Sequence, residues 1–175
     1  MASVSRSRRA TSGIVFLIAG ALFVIAVILL FASVSFPIIT VLAYAAVAVA
    51  LAILGFGAVN STLAKVLLIA AAVGWAILAL SPYVTLPGVL ITIAAIVAGL
   101  GGLVVAIVLY VGKEITNNDA IAFIVATALG LVYLLIVIGT LALGSTVLTL
   151  VALLFGLALI ATGYLFRRTE RGRRR

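Results

Sequence analysis

The segment "GKEITNND", residues 112–119, carries Glu114 and Asp119, two of the three acidic side chains in the chain. Two nearby carboxylates could hold a cation or relay a proton, which in a membrane requires ionisable groups deep within a span. Neither residue lies deep in an apolar segment. Asn117, Asn118 and Asp119 instead precede one, where short polar side chains cap free N–H groups and an acid complements the helix dipole. The segment therefore reads first as a loop and a helix start.

A nucleophile is the next chemistry to seek. Ser145, Thr146 and Thr149 share a segment with no His, Lys or acidic partner able to activate a hydroxyl. The chain has no Cys, His or Gln, so disulfides, thiol chemistry and the usual zinc sites lack their ligands. No catalytic, cofactor or metal residues are expected. The other apolar segments offer only hydroxyls, such as Thr40, Thr92, Thr127 and Thr162, and a helical Thr can satisfy itself on a carbonyl one turn back.

The elements that hold these residues follow from hydropathy. A mean hydropathy of +1.56 with 8% charged residues lies far outside the soluble range and marks an integral membrane protein. A bilayer core about 30 Å thick needs roughly 20 apolar residues in a helix. Six stretches qualify: 13–32, 38–57, 63–80, 89–111, 120–139 and 146–166. Their runs do not alternate as barrel strands would, so the expected fold is all-α, a single polytopic domain of three antiparallel hairpins. Pro37, Pro82 and Pro87 fall in the connections, where a missing N–H costs a helix nothing. Residues 1–12 form a basic N-terminal segment and 167–175 an Arg-rich tail.

With six spans, every Lys and Arg falls at one end: Arg6, Arg8, Arg9, Lys65, Lys113 and the six arginines after the last span. The positive-inside rule makes that end, with both termini, cytoplasmic and places the protein in a cell membrane as a multi-pass protein. The competing reading of the first span is a signal peptide, with Arg8–Arg9 similar to a twin-arginine signal. Its apolar run exceeds the 7–15 residues of such peptides, which favours a retained helix.

Three further patterns carry functional readings. Small residues recur at every fourth position, Ala94, Ala98, Gly102 and Ala106, then Ala122, Ala126 and Gly130, as expected where helices approach closely in lipid. This predicts a central position for the fourth helix, unless "GLGG", residues 99–102, breaks it as in some transporters. Tyr44, Trp75 and Tyr133 share a depth five or six residues from the outer ends of their spans. They form either an aromatic belt or an outward-facing groove for an apolar ligand. The tail offers Arg167, Arg168, Arg171, Arg173, Arg174 and Arg175 as topogenic charge and as contacts for anionic lipid or an acidic partner. It has no aromatics to stack bases, so nucleic acid is not expected.

The second and third hairpins share punctuation: "GWAILALSP" from Gly74 and "GTLALGS" from Gly139, with Gly156 and Gly163 seven apart in the last helix. This pattern resembles the short-repeat, six-helix membrane proteins of the HdeD type. Hairpin one departs from it, with Gly20 far from Pro37, and hairpin three has Ser145 in place of the Pro. The resemblance implies a membrane-stress or acid-tolerance role without catalytic residues. Together these features point to a non-enzymatic membrane protein with a membrane-stress, lipid-organising or accessory-subunit role, partnered by membrane lipid and by copies of itself or a larger membrane complex. The alternative is a small transporter or channel for an uncharged or apolar substrate. An intramembrane enzyme ranks third.

Overall fold

The computed structural model describes residues 2–32, 37–141 and 143–171, with side chains between 7 and 168. Among the described residues there are six α-helices: α1 (Ala2–Phe31), α2 (Pro37–Gly57), α3 (Thr62–Leu80), α4 (Gly88–Val111), α5 (Asn117–Val137) and α6 (Ser145–Arg171). Each is long and apolar enough to cross a membrane. The apolar runs fix the helix ends to within a few residues, except at the start of α1 and the end of α6. Helix α1 starts well before its apolar run and α6 continues past its own, because a helix that satisfies its own backbone need not stop where the lipid does.

The helices form a closed ring. Each packs against its neighbours in sequence, α1 packs against α6, and no pair across the ring has backbones in contact among the described residues. The expected central position of α4 is therefore not observed: it has two neighbours like every other helix. Nor is α4 broken at residues 99–102, since it runs unbroken from Gly88 to Val111.

Packing differs from that of a soluble bundle on its outer side. Exposed faces carry aliphatic side chains such as Ile18, Ile28, Val49, Val73, Ile107 and Leu154, whereas buried faces combine Ala, Gly and aromatics with Leu and Val such as Leu54, Leu68, Val105 and Leu109. Lipid tails accept aliphatic side chains at no cost, so the outer faces need no polar residues, and small residues mark where helices approach closely. The closest approach is between α1 and α6. A Cβ added to Gly13 would lie 2.8 Å from the Gly163 carbonyl oxygen, and one on Gly20 would lie 2.5 Å from that of Gly156. Gly74 is similarly closed in, 2.6 Å from the Ala94 oxygen and 3.0 Å from the Ala98 Cβ. The row on α4 thus does pack closely, through Ala94 and Ala98.

The hydroxyls follow the backbone as expected. Thr92, Thr127, Thr149 and Thr162 each donate to the carbonyl four residues back, at 3.0, 2.8, 2.8 and 2.9 Å. Ser12 instead crosses to α2, donating to Ala50 O at 2.8 Å in a fully buried position.

The basic end is tied by the segment 112–119. Helix α4 closes with Lys113 in the left-handed region (φ 52°), while the Glu114 N–H donates to Leu109 O at 3.1 Å and the Lys113 N–H to Tyr110 O at 3.1 Å. This turn delivers Glu114 to the α2–α3 connection, where its carboxylate accepts from the N–H groups of Asn60 (2.7 Å) and Ser61 (3.0 Å). The cap of α5 is Thr116, not the Asn-Asn-Asp run, which forms the first turn. Asp119 is 1% exposed there. Arg9 donates to Glu114 O at 2.9 Å and to Ala58 O at 3.4 Å, and Arg8 to Phe56 O at 2.6 Å. The two arginines thus close the end of α2, and the ring includes the helix that carries them. Glu114→Gln should weaken two charge-assisted bonds and lower stability by about 1–2 kcal/mol. A melting curve in detergent would measure this; an unchanged midpoint would show that Glu114 is not a tie.

Candidate functional site: an aromatic core between two cavities

A ring of six helices with neighbouring axes about 8–10 Å apart encloses a column roughly one helix wide. Aromatic side chains fill it. Trp75 on α3 stacks on Phe155 of α6 across the ring, with centroids 5.8 Å apart and planes inclined by 15°. On the adjacent diameter of the ring, Tyr44 on α2 meets Tyr133 on α5 through a hydroxyl–hydroxyl hydrogen bond of 2.7 Å. Phe23 on α1 touches Tyr44, Tyr133 and Phe155 at 5.9, 5.6 and 4.9 Å. A second group, Phe16, Phe123 and Phe166, packs toward the basic end at 5.9–6.2 Å. Offset and edge contacts of this kind add about 0.5–1.5 kcal/mol each beyond burial.

The shared depth of Tyr44, Trp75 and Tyr133 is thus a shared core: all three are at least nine-tenths buried. They are neither an interfacial belt nor one open groove. Exposed aromatic side chains near the helix ends are others, Tyr83 at 63%, Tyr110 at 45% and Tyr164 at 58%. These suit the position of an interfacial belt, with an apolar ring and a polar tip.

Two cavities flank the core. One opens at the neutral end between α1, α2, α5 and α6, has a volume of about 150 Å³, and is bounded by Phe23, Leu30, Thr40, Tyr133, Thr149 and Ala152. The other is a narrow apolar space of about 20 Å³ inside the ring, bounded by Trp75, Ala98, Gly102, Phe123, Gly130 and Phe155. Gly102 faces this space, where an added Cβ would lie 3.4 Å from Thr127 Cγ2, an ordinary contact. Ala106 and Ala126 are buried, Gly130 lies against the Phe155 ring, and Ala122 is half-buried. Tyr133 and Phe23 bound the first cavity and Trp75 and Phe155 the second, and the contacts among these four rings form the layer that parts them.

At the basic end Arg167 and Arg168 are exposed on the last turns of α6. Arg171 ends that helix, its side chain outside the described set, and Arg173, Arg174 and Arg175 lie outside the described residues. Among the described residues no cluster of three metal-ligating side chains occurs. Glu114 and Asp119 do come together around Arg9, which interacts favourably with both. No family model, curated protein or solved structure matches the chain.

Proposed function

We propose that this multi-pass protein organises lipid and performs no catalysis. The carrying observation is the outer surface: exposed aliphatic side chains face outward around the whole ring, while the centre is filled by aromatic side chains with Ala, Leu and Val around them. The basic end adds Arg167 and Arg168, followed in sequence by Arg171, Arg173, Arg174 and Arg175, opposite a neutral end without charge. A basic residue near an anionic leaflet contributes about 1 kcal/mol, less after salt screening, so this end favours anionic headgroups. The membrane-stress role implied by the HdeD-type resemblance is compatible with such a protein.

The reading places the basic end in the cytoplasm. Single cysteines at Thr85 and Ser145 should label from outside intact cells, and one at Asn118 should not. Labelling of all three from one side would refute the orientation. For the lipid role, removing residues 171–175 should reduce the anionic lipid that co-purifies, more at low than at physiological salt, where screening already weakens the attraction. Equal retention at both salts would leave the tail as a topology signal only.

A further inference from the structure

The neutral-end cavity combines a defined size with an unbalanced set of hydroxyls. Its volume of about 150 Å³ is comparable to that of an apolar protein cavity able to take one benzene-sized ring. Its walls are apolar apart from Tyr133, Thr40 and Thr149. Thr149 has committed its proton to Ser145 O at 2.8 Å and can only accept from the cavity.

The donor count at Tyr133 does not close within the protein. Tyr44 and Tyr133 carry one phenolic proton each, and their 2.7 Å bond uses one. Neither hydroxyl has another hydrogen bond among the described residues. Both residues are more than nine-tenths buried, at 9% and 6% exposure, where an unpaired donor costs about 1–3 kcal/mol. Only Tyr133 reaches the cavity. With Tyr44 donating to Tyr133, the remaining proton belongs to Tyr133 and is available to an acceptor in the cavity.

We propose that this cavity binds a ring-sized lipophilic molecule through one carbonyl or ether oxygen, which accepts a hydrogen bond from Tyr133. The ring lies against Phe23 and Ala152, and Tyr44 orients the Tyr133 hydroxyl from behind. This site is separate from the lipid surface proposed above and does not depend on it.

The test uses the full chain in nanodiscs and two probes of matched shape, 4-fluoroacetophenone and 4-fluoro-α-methylstyrene, in which CH2 replaces the carbonyl oxygen. Fluorine NMR should show saturable binding of both, with the ketone bound about three- to tenfold more tightly. Tyr133→Phe should abolish that preference. Tyr44→Phe, which breaks the same tyrosine–tyrosine bond but leaves the Tyr133 proton free, should retain it and so separates recognition from a packing defect. Ala152→Trp, which fills the cavity, should reduce binding of both probes. Absence of saturable binding, equal affinity for the two probes, a ketone preference that survives Tyr133→Phe, or undiminished binding to Ala152→Trp would each overturn the proposal.

Discussion

Gly20→Val should prevent α1 and α6 from closing the ring, giving a large loss of folded protein. The new Cβ alone would meet the Gly156 oxygen at 2.5 Å, Ile160 Cγ1 at 2.7 Å and Ile160 N at 2.9 Å. Two of these are backbone atoms of an opposing helix, so no rotamer change can relieve them. Overpacking costs roughly 1–3 kcal/mol where side chains can shift, and a backbone-limited site belongs at the upper end. At about 2–4 °C per kcal/mol for a chain of this size, the midpoint in detergent should fall by about 6–12 °C. Gly102→Ala is the internal control: it meets only Thr127 Cγ2 at 3.4 Å and exchanges glycine for a better helix former, so it should be neutral or stabilise by up to about 1 kcal/mol. Equal effects of the two would mean that the α1–α6 seam does not hold the ring closed.

Phe155→Ala should be the most damaging truncation in the interior. Phe155 is 2% exposed and stacks on Trp75 and on Tyr133, meets Phe23 edge-on, and lies against Gly130, where there is no Cβ to occupy the space it leaves. Truncating a buried Phe costs about 3–5 kcal/mol. The same change thins the aromatic layer between the two cavities. Liposomes containing the wild-type protein should hold a small uncharged dye as well as empty ones do, while those with Phe155→Ala should leak it faster. A folded, dye-tight variant would show that other side chains seal the centre; a leaky wild type would favour the transporter or channel reading over the lipid-organising one.

Hydropathy made the six helices legible because the membrane imposes one length and one composition on every span. It could not show which face of each helix turns inward. In water, burial and hydropathy coincide, but Ile18 and Ile28 face outward here although they are as apolar as anything inside. The depth of Tyr44, Trp75 and Tyr133 could be counted from the helix ends; their convergence depended on helix rotation, which their spacing does not encode. A signal for the ring did exist. Gly13 and Gly20 are seven apart, as are Gly156 and Gly163, and in antiparallel helices the first of one pair meets the second of the other. Read only within the last hairpin, the later pair looked like repeat punctuation. The loop at 112–119 was legible as a loop, but Glu114 as a tie to Asn60 and Ser61 was not, because that depends on the left-handed turn at Lys113.

The seam between the first and last helices also sets an order of assembly. On a ribosome adding roughly 5–20 residues per second, Gly20 emerges on the order of ten seconds before Gly156. Throughout that interval α1 has α2 on one side and only lipid where α6 will lie, with its glycine face and Phe23 uncovered. Contacts so distant in sequence form late and slowly. Newly made chains therefore pass through an open, five-helix arc whose edges are sticky to each other and to another arc. A chain whose synthesis stops before α6 is left as that arc, with the glycine face of α1 that would meet Gly156 and Gly163 turned to lipid.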